Sequence, residues 1–265
     1  RMTNASEFIR RAAIQAGEMI GFLFNHPSIV IWCFGSEPGI RNFTKLGMVL
    51  RSVGETTDPT RITQQGNETM GRWPTVKEYA RYGWLTDMHY YMGWYSYHDR
   101  PAGQHFGMMG TTVYDLNKVP REFFEVVTEY GAQALPDLAC MGEILPDPMA
   151  WPPDWKTLKH HCMQPELQLS HIPEPHNMEE LIRSSQEYQA FLLKYHTEYY
   201  RKLKYRPCNG ALMFTFNDCW PAVTWSVVDY RRHPKSGYDE LKRSFSPVHV
   251  LLDWWDPFEI PTGEP

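Results

Sequence analysis

The sequence lacks the features that would place it in several large classes of protein. Lysine and arginine number 26 against 31 aspartates and glutamates, a formal net charge of -5. The cationic excess that nucleic acid or an anionic membrane attracts is therefore absent. No apolar run approaches the roughly 18 residues needed to span a bilayer. Cysteine is scarce: five residues, widely spaced, fit neither a zinc pattern nor a disulfide framework. Cys33, inside an apolar run, reads as a small buried thiol. An initiating methionine and a signal-like segment are lacking too, since the chain starts at Arg1. The expectation is a fragment or processed piece, with secreted, periplasmic and cytoplasmic locations all open. What the sequence has in abundance is aromatic surface: ten Trp, fifteen Tyr and thirteen Phe. Flat aromatic faces suit stacking on sugar rings, although most of them must be core. At 42% hydrophobic over 265 residues, the chain can bury one large core.

Periodicity sets the order of elements. Apolar residues at helical spacing run from Ser6 to Phe24, and Asn25-His26-Pro27-Ser28 breaks that helix. Strands are expected near 29–34, 61–65, 86–91, 123–128 and 211–216. A second helix is expected over 43–53, and a short closing helix over 241–245. Asn177-Met-Glu-Glu180 has the form of a capping box opening a long helix that Pro207 ends. Residues 96–120 read as a long loop, and 136–176 as an irregular, proline-rich excursion over the surface. Alternating strands and helices argue for parallel β/α units. A full eight-stranded barrel typically needs about 250 residues, and here five strands consume the chain. The expected fold is a (β/α)8 TIM-type barrel represented by about strands four to eight. Residues 1–248 would be its C-terminal part, and 249–265 a tail or linker to a following domain.

Two of these strands end alike. His26-Pro-Ser-Ile-Val-Ile-Trp-Cys-Phe-Gly-Ser-Glu37-Pro-Gly39 is an apolar run closed by a carboxylate and a turn. Phe123-Phe-Glu-Val-Val-Thr-Glu129-Tyr-Gly131 repeats the pattern. Parallel barrel strands deliver such residues to one face, where barrels carry their chemistry. Two carboxylates flanking a glycosidic bond are the minimum apparatus for cleaving it. One protonates the leaving oxygen; the other attacks the anomeric carbon or activates water. Strand-end glutamates can equally be plain loop or ion-pair residues, and the pattern alone leaves both open.

In these residues the chain resembles glycoside hydrolase family 2, the group of β-galactosidases, β-mannosidases and β-glucuronidases. Asn25-His-Pro-Ser-Ile-Val-Ile-Trp32 resembles the family strand leading to the acid/base, which then falls on Glu37. Thr128-Glu-Tyr-Gly131 resembles the nucleophile motif, which places the nucleophile at Glu129. Ala132-Gln-Ala-Leu-Pro136 and Phe216-Asn-Asp-Cys-Trp-Pro-Ala-Val-Thr-Trp-Ser-Val-Val-Asp-Tyr230 are similar to the β-mannosidase forms. Ser244-Phe-Ser-Pro-Val248 resembles the passage to a following β-sandwich. The resemblance implies a retaining exo-β-glycosidase, closest to β-mannosidases, acting on a carbohydrate without metal or cofactor. It also implies that a β-sandwich and the first three strands come from a missing N-terminal part or another chain.

The same resemblance names further substrate-site candidates and shows departures. Tyr90-Tyr-Met-Gly-Trp-Tyr95 is similar to a β-glucuronidase segment. By that likeness Tyr91 would bond the Glu129 carboxylate; Trp94 of the same segment is a further substrate-binding candidate, and His89, by its place at a strand end, is a candidate to line the sugar site. Phe214 stands where the family has a last-strand Trp, so Trp220 or Trp225 would stack instead. Asp218 is placed at the substrate rim or as the cap of the following turn. Ser36 replaces the usual Asn before the acid/base, which changes the contact to the sugar 2-hydroxyl. Exo-β-glucosaminidases also carry Ser there. That specificity, and a carbohydrate-binding relative without turnover, stay open beside the β-mannosidase and β-galactosidase readings. His160, His161, His171 and His176 fit no metal spacing.

Overall fold

The structure, a computed structural model, describes residues 6–36, 40–64, 66, 87–89, 91, 94, 125–165, 169 and 172–251. It forms two compact units, Arg1–Met88 and His89–Pro265.

The first unit is a β-α-β element preceded by a helix. Helix α1 spans Ser6–Leu23, strand β1 Ile31–Cys33, helix α2 Ile40–Thr57 and strand β2 Ile62–Gln64. The strands pair in parallel, Ile31 opposite Ile62 and Cys33 opposite Gln64, as a helical crossover requires. Helix α1 turns Ile9 and Ala16 onto Leu46 and Leu50 of α2, with Ala12 and Phe34 alongside. Gly54 lets α2 lie close on β2: a Cβ there would stand 2.6 Å from Thr63 Cγ2. Trp32 is the buried residue of β1; Cys33 is exposed, against the expectation of a buried thiol. The cause is the period of two along a strand, which sends Trp32 inward and its neighbour out.

Asp58 organises the entry to both strands. Its carboxylate accepts hydrogen bonds from Trp32 Nε1 at 2.8 Å, Arg61 at 2.6 Å and the Thr60 hydroxyl at 2.5 Å. Arg61 also donates to the carbonyls of Phe24, His26 and Ile29, which close the Asn-His-Pro-Ser turn. Burial opposes ionisation of Asp58, but the bonds from Thr60, Trp32 and Arg61 outweigh it and hold the group far below the usual carboxylate range.

Beyond that element the chain has a three-stranded sheet of order β3-β4-β5, whose first strand ends at the start of the second unit. Strand β3 is Asp87–His89, β4 Val126–Glu129 and β5 Gly210–Ala211. Strand β5 is shorter than expected, but Leu212 N still donates to Val127 O at 2.9 Å. Helices α3 (Leu138–Ile144), α4 (Trp155–His160), α5 (Met178–Lys202) and α6 (Ser236–Ser244) complete the second unit. Asn177 caps α5 through Glu180 N, and Glu180 reaches back to His176 N. The return bond falls on the residue before the N-cap, one place earlier than the capping-box pattern has it.

The stretch 136–176 departs from its reading as a surface excursion. Asp137 and Asp154 cap α3 and α4 with their carboxylates, and both helices feed the core. Met141, Ile144 and Leu158 pack with Leu135, Met178 and Leu181. Each helix is at most seven residues long, too short to show a period. Among the described residues, no helix is long and apolar enough to cross a membrane.

Candidate active site

Strand β4 ends at Glu129, half-buried, while Val127 points into the core. Two side chains converge on one carboxylate oxygen. The Tyr91 hydroxyl donates to Glu129 Oε2 at 2.7 Å, and His89 Nδ1 lies 3.2 Å from the same atom. Both partners are buried, so the carboxylate has little rotational freedom. His89 comes from the end of β3, the strand beside β4, and therefore reaches Glu129 laterally. Tyr91 follows two residues on, its carbonyl accepting Trp94 N at 3.0 Å in a turn.

The chain leaving Glu129 is shaped by a glycine. Gly131 adopts a φ of +153°, and a Cβ there would stand 2.7 Å from the Phe214 carbonyl oxygen. Beyond it, Ala132 to Leu135 are fully buried. The Gln133 amide is fully used in this passage. It donates to Cys162 O at 2.7 Å and Val223 O at 3.1 Å, and accepts from Gln164 N at 2.9 Å.

An aromatic run leads to the carboxylate. Phe214 meets Trp225 edge-to-face at 5.9 Å between ring centroids, and Trp225 meets Tyr91 at 6.2 Å. Phe214 and Trp225 are half-buried. This is a surface of the kind that sugar rings stack on. Trp94 is fully buried with Tyr91, Ala132, Tyr188 and Leu192, and so backs the site from the core instead of facing a ligand.

Other candidates stand elsewhere. Trp220 is partly exposed and stacks on His161 at 4.7 Å. Asp218 is buried, with its carboxylate taking the hydroxyls of Thr224 at 2.5 Å and Ser226 at 2.6 Å and lying 3.7 Å from Lys235 Nζ. It is placed in an internal network rather than at a rim. Thr224 and Ser226 belong to the loop that follows, and their hydroxyls donate to Asp218. Ser36 is exposed just past β1 in the first unit, and Glu37 lies outside the described residues. One group of metal-type ligands comes together among the described residues: Asp137, Asp229 and His233, with ligand atoms within 4.8 Å of one another. His233 Nδ1 is 2.6 Å from Asp137 Oδ2, which accounts for the grouping as a hydrogen-bonded pair.

Comparisons with known proteins identify the family. Residues 2–144 match the family described as Glycosyl hydrolases family 2, TIM barrel domain. The chain belongs to glycosyl hydrolase family 2. It is 29% identical over 141 residues to a β-mannosidase B of Thermothelomyces thermophilus, covering 47% of this chain and 16% of that protein. A 45-residue stretch is 47% identical to a β-mannosidase B of Aspergillus niger, covering 17% of this chain and 5% of the relative. A β-D-mannosidase of Dictyoglomus thermophilum shares the fold over 92% of this chain and 30% of its own, with a TM-score of 0.66 and 22% identity. An exo-chitosanase of Amycolatopsis orientalis does so over 93% of this chain and 29% of its own, with a TM-score of 0.55 and 13% identity. The chain thus spans less than a third of the length of these relatives.

Proposed function

We propose that this chain is the later part, about strands four to eight, of the catalytic barrel of a retaining exo-β-glycosidase, most similar to β-mannosidases. Glu129 is the nucleophile and Glu37 the acid/base. The observation that carries the reading is the Tyr91 hydroxyl and the His89 ring meeting on one oxygen of a strand-end carboxylate beside a half-buried aromatic surface. Two buried partners on one oxygen hold the carboxylate in a single orientation, which a nucleophile that must meet an anomeric carbon requires.

The reaction follows in two steps. A Glu129 oxygen attacks the anomeric carbon while its bond to the leaving oxygen breaks, and that oxygen takes the proton of Glu37. Water then gives a proton to Glu37 and attacks the same carbon, releasing the sugar and the Glu129 carboxylate. Two inversions return the original configuration.

The test uses the intact protein and aryl β-mannoside, β-galactoside, β-glucoside and β-glucosaminide substrates. Glu129→Gln is expected to abolish turnover of whichever is hydrolysed. Glu37→Ala is expected to slow deglycosylation and be rescued by azide with a β-configured glycosyl azide as product. Full activity of Glu129→Gln, or a product of inverted configuration, overturns the reading. Ser36 favours a second specificity, for β-glucosaminides, because a serine offers the 2-position a shorter and single donor. A preference for the glucosaminide in the same panel decides for it.

A further inference from the structure

The two-step chemistry makes no use of a buried cation close behind the aromatic surface. Lys235 has almost no solvent exposure. Its ammonium donates to Ala134 O at 2.8 Å and Ser226 Oγ at 2.9 Å, with Asp218 Oδ2 at 3.7 Å. Each partner belongs to a segment that reaches the site. Ala134 lies on the buried chain leaving Glu129. Ser226 follows Trp225 directly. Asp218 clasps the Thr224 and Ser226 hydroxyls on either side of Trp225.

We propose that Lys235 is a positioning residue: with Asp218 and Ser226 it pins the Trp225 loop to the segment leaving Glu129, and so fixes the aromatic wall against which the sugar docks. This rests on the reading of Glu129 as the nucleophile.

Several neighbouring bonds run between the same segments. Ala134 N donates to Thr224 O at 3.2 Å, and Gln189 Nε2 spans Ala132 O at 2.8 Å and Ser226 O at 3.0 Å. Within the loop, Ser226 N donates to Thr224 Oγ1 at 3.1 Å. Lys235 is the member that brings a charge to this seam. Asp218 and Asp229, from the loop before it, and Cys140, from α3, are the ionisable groups that act on it. Burial still pushes its ammonium down, to about 8, against the pull of those groups. A buried salt bridge is weak evidence for stability, and a role in specifying geometry is the hypothesis that such a group supports. Here the geometry it fixes is the height of Trp225, whose ring meets Tyr91, whose hydroxyl in turn holds Glu129.

The test is made in the intact protein, on the sugar that the wild type hydrolyses. Active sites are counted with the matching 2-deoxy-2-fluoroglycosyl fluoride, which traps the nucleophile, and kcat and KM are expressed per trapped site. Lys235→Met is expected to lower kcat/KM per site by about 10- to 100-fold, the scale on which a displaced site wall acts. The loss should lie mostly in KM, because the docking wall moves while Glu129 keeps Tyr91 and His89. Ser226→Ala, a smaller change that folds more readily, should show a weaker loss in the same direction. A purely structural role would lower the count of trapped sites and leave each site's kinetics unchanged. That result in either variant that traps overturns the proposal, and Ser226→Ala alone decides if Lys235→Met yields no folded protein. Glu129→Gln separates the two readings. If it is inactive while both variants are normal per site, only the positioning role fails; if it turns over normally, or the wild type hydrolyses nothing in the panel, both fail.

Discussion

Replacing Gly131 by alanine tests the geometry around Glu129 without touching a functional group. The added Cβ meets two penalties. It would stand 2.7 Å from the Phe214 carbonyl oxygen, and the backbone must keep a φ of +153°. A conformation of that kind costs a side-chain-bearing residue about 1–3 kcal/mol. Forcing an extra carbon into packed surroundings costs about another 1–3 kcal/mol. The clash is with backbone, which cannot swing aside, so Gly131→Ala is expected to destabilise by about 2–6 kcal/mol. For a domain of this size that lowers the melting temperature by roughly 5–20 °C. Gly142 supplies the matched control. It lies inside α3, and a Cβ there meets nothing within 4 Å. Gly142→Ala should therefore stabilise by about 0.5–1 kcal/mol through lost freedom of the unfolded chain. Both variants are melted as intact protein and followed by tryptophan fluorescence. Equal melting of Gly131→Ala and wild type, or shifts of the same sign in both variants, refutes the account of this turn.

Three other expectations concern single groups. Tyr91→Phe removes one donor to the Glu129 carboxylate, a bond worth about 1.5–3 kcal/mol, so kcat/KM should fall about 10- to 150-fold; wild-type kinetics would remove Tyr91 from the site. Asp58 has its folded pKa depressed by Thr60, Trp32 and Arg61. Its stabilisation is full above the ordinary carboxylate range and drains away as pH falls below that range toward the folded value. Acid unfolding of the wild type should thus be steeper than that of Asp58→Asn, which has no proton to gain, and parallel circular-dichroism titrations would contradict this. Lys235 works in the opposite sense: its folded pKa falls from 10.5 to about 8, so across that interval the unfolded chain binds more protons and stability rises with pH. Lys235→Met should flatten the rise in a melting-temperature series over the same interval.

Much of this arrangement is legible in the amino-acid sequence, for physical reasons that vary by residue. The place of Glu129 at a strand end is legible from the apolar run before it and the glycine after it, while its chemical role is suggested only by the family likeness, since the pattern alone leaves loop and ion-pair readings open. Tyr91 is legible only through its family likeness; nothing in Tyr90-Tyr-Met-Gly predicts a bond 38 residues away. His89 shows the limit of strand-end logic, which puts it near the site without saying that it faces the carboxylate. Asp218 and Lys235 show what local pattern cannot carry. The Asn-Asp-x-Trp motif leaves a rim and a turn cap both open for Asp218, and nothing around Lys235 announces burial, yet the two are buried 3.7 Å apart. Such pairing across a chain leaves no trace in local pattern. Helices α3 and α4 escape the periodicity because two turns cannot establish a period. Their capping signals are nonetheless in the sequence: Asp137 and Asp154 stand three and four residues before buried Cys140 and Leu158.

The contacts of Arg61 imply an order of assembly for the first unit. Local bonds can shape part of the corner between α1 and β1, since His26 N reaches Leu23 O and Ile29 N reaches His26 O. The carbonyls of Phe24 and His26, however, wait for a guanidinium that lies 37 and 35 residues away in sequence. Closing a loop of that length must precede its reward. The Asn-His-Pro-Ser turn is therefore completed from downstream: two of its carbonyl partners are made only when the chain between residues 24 and 61 has folded back on itself.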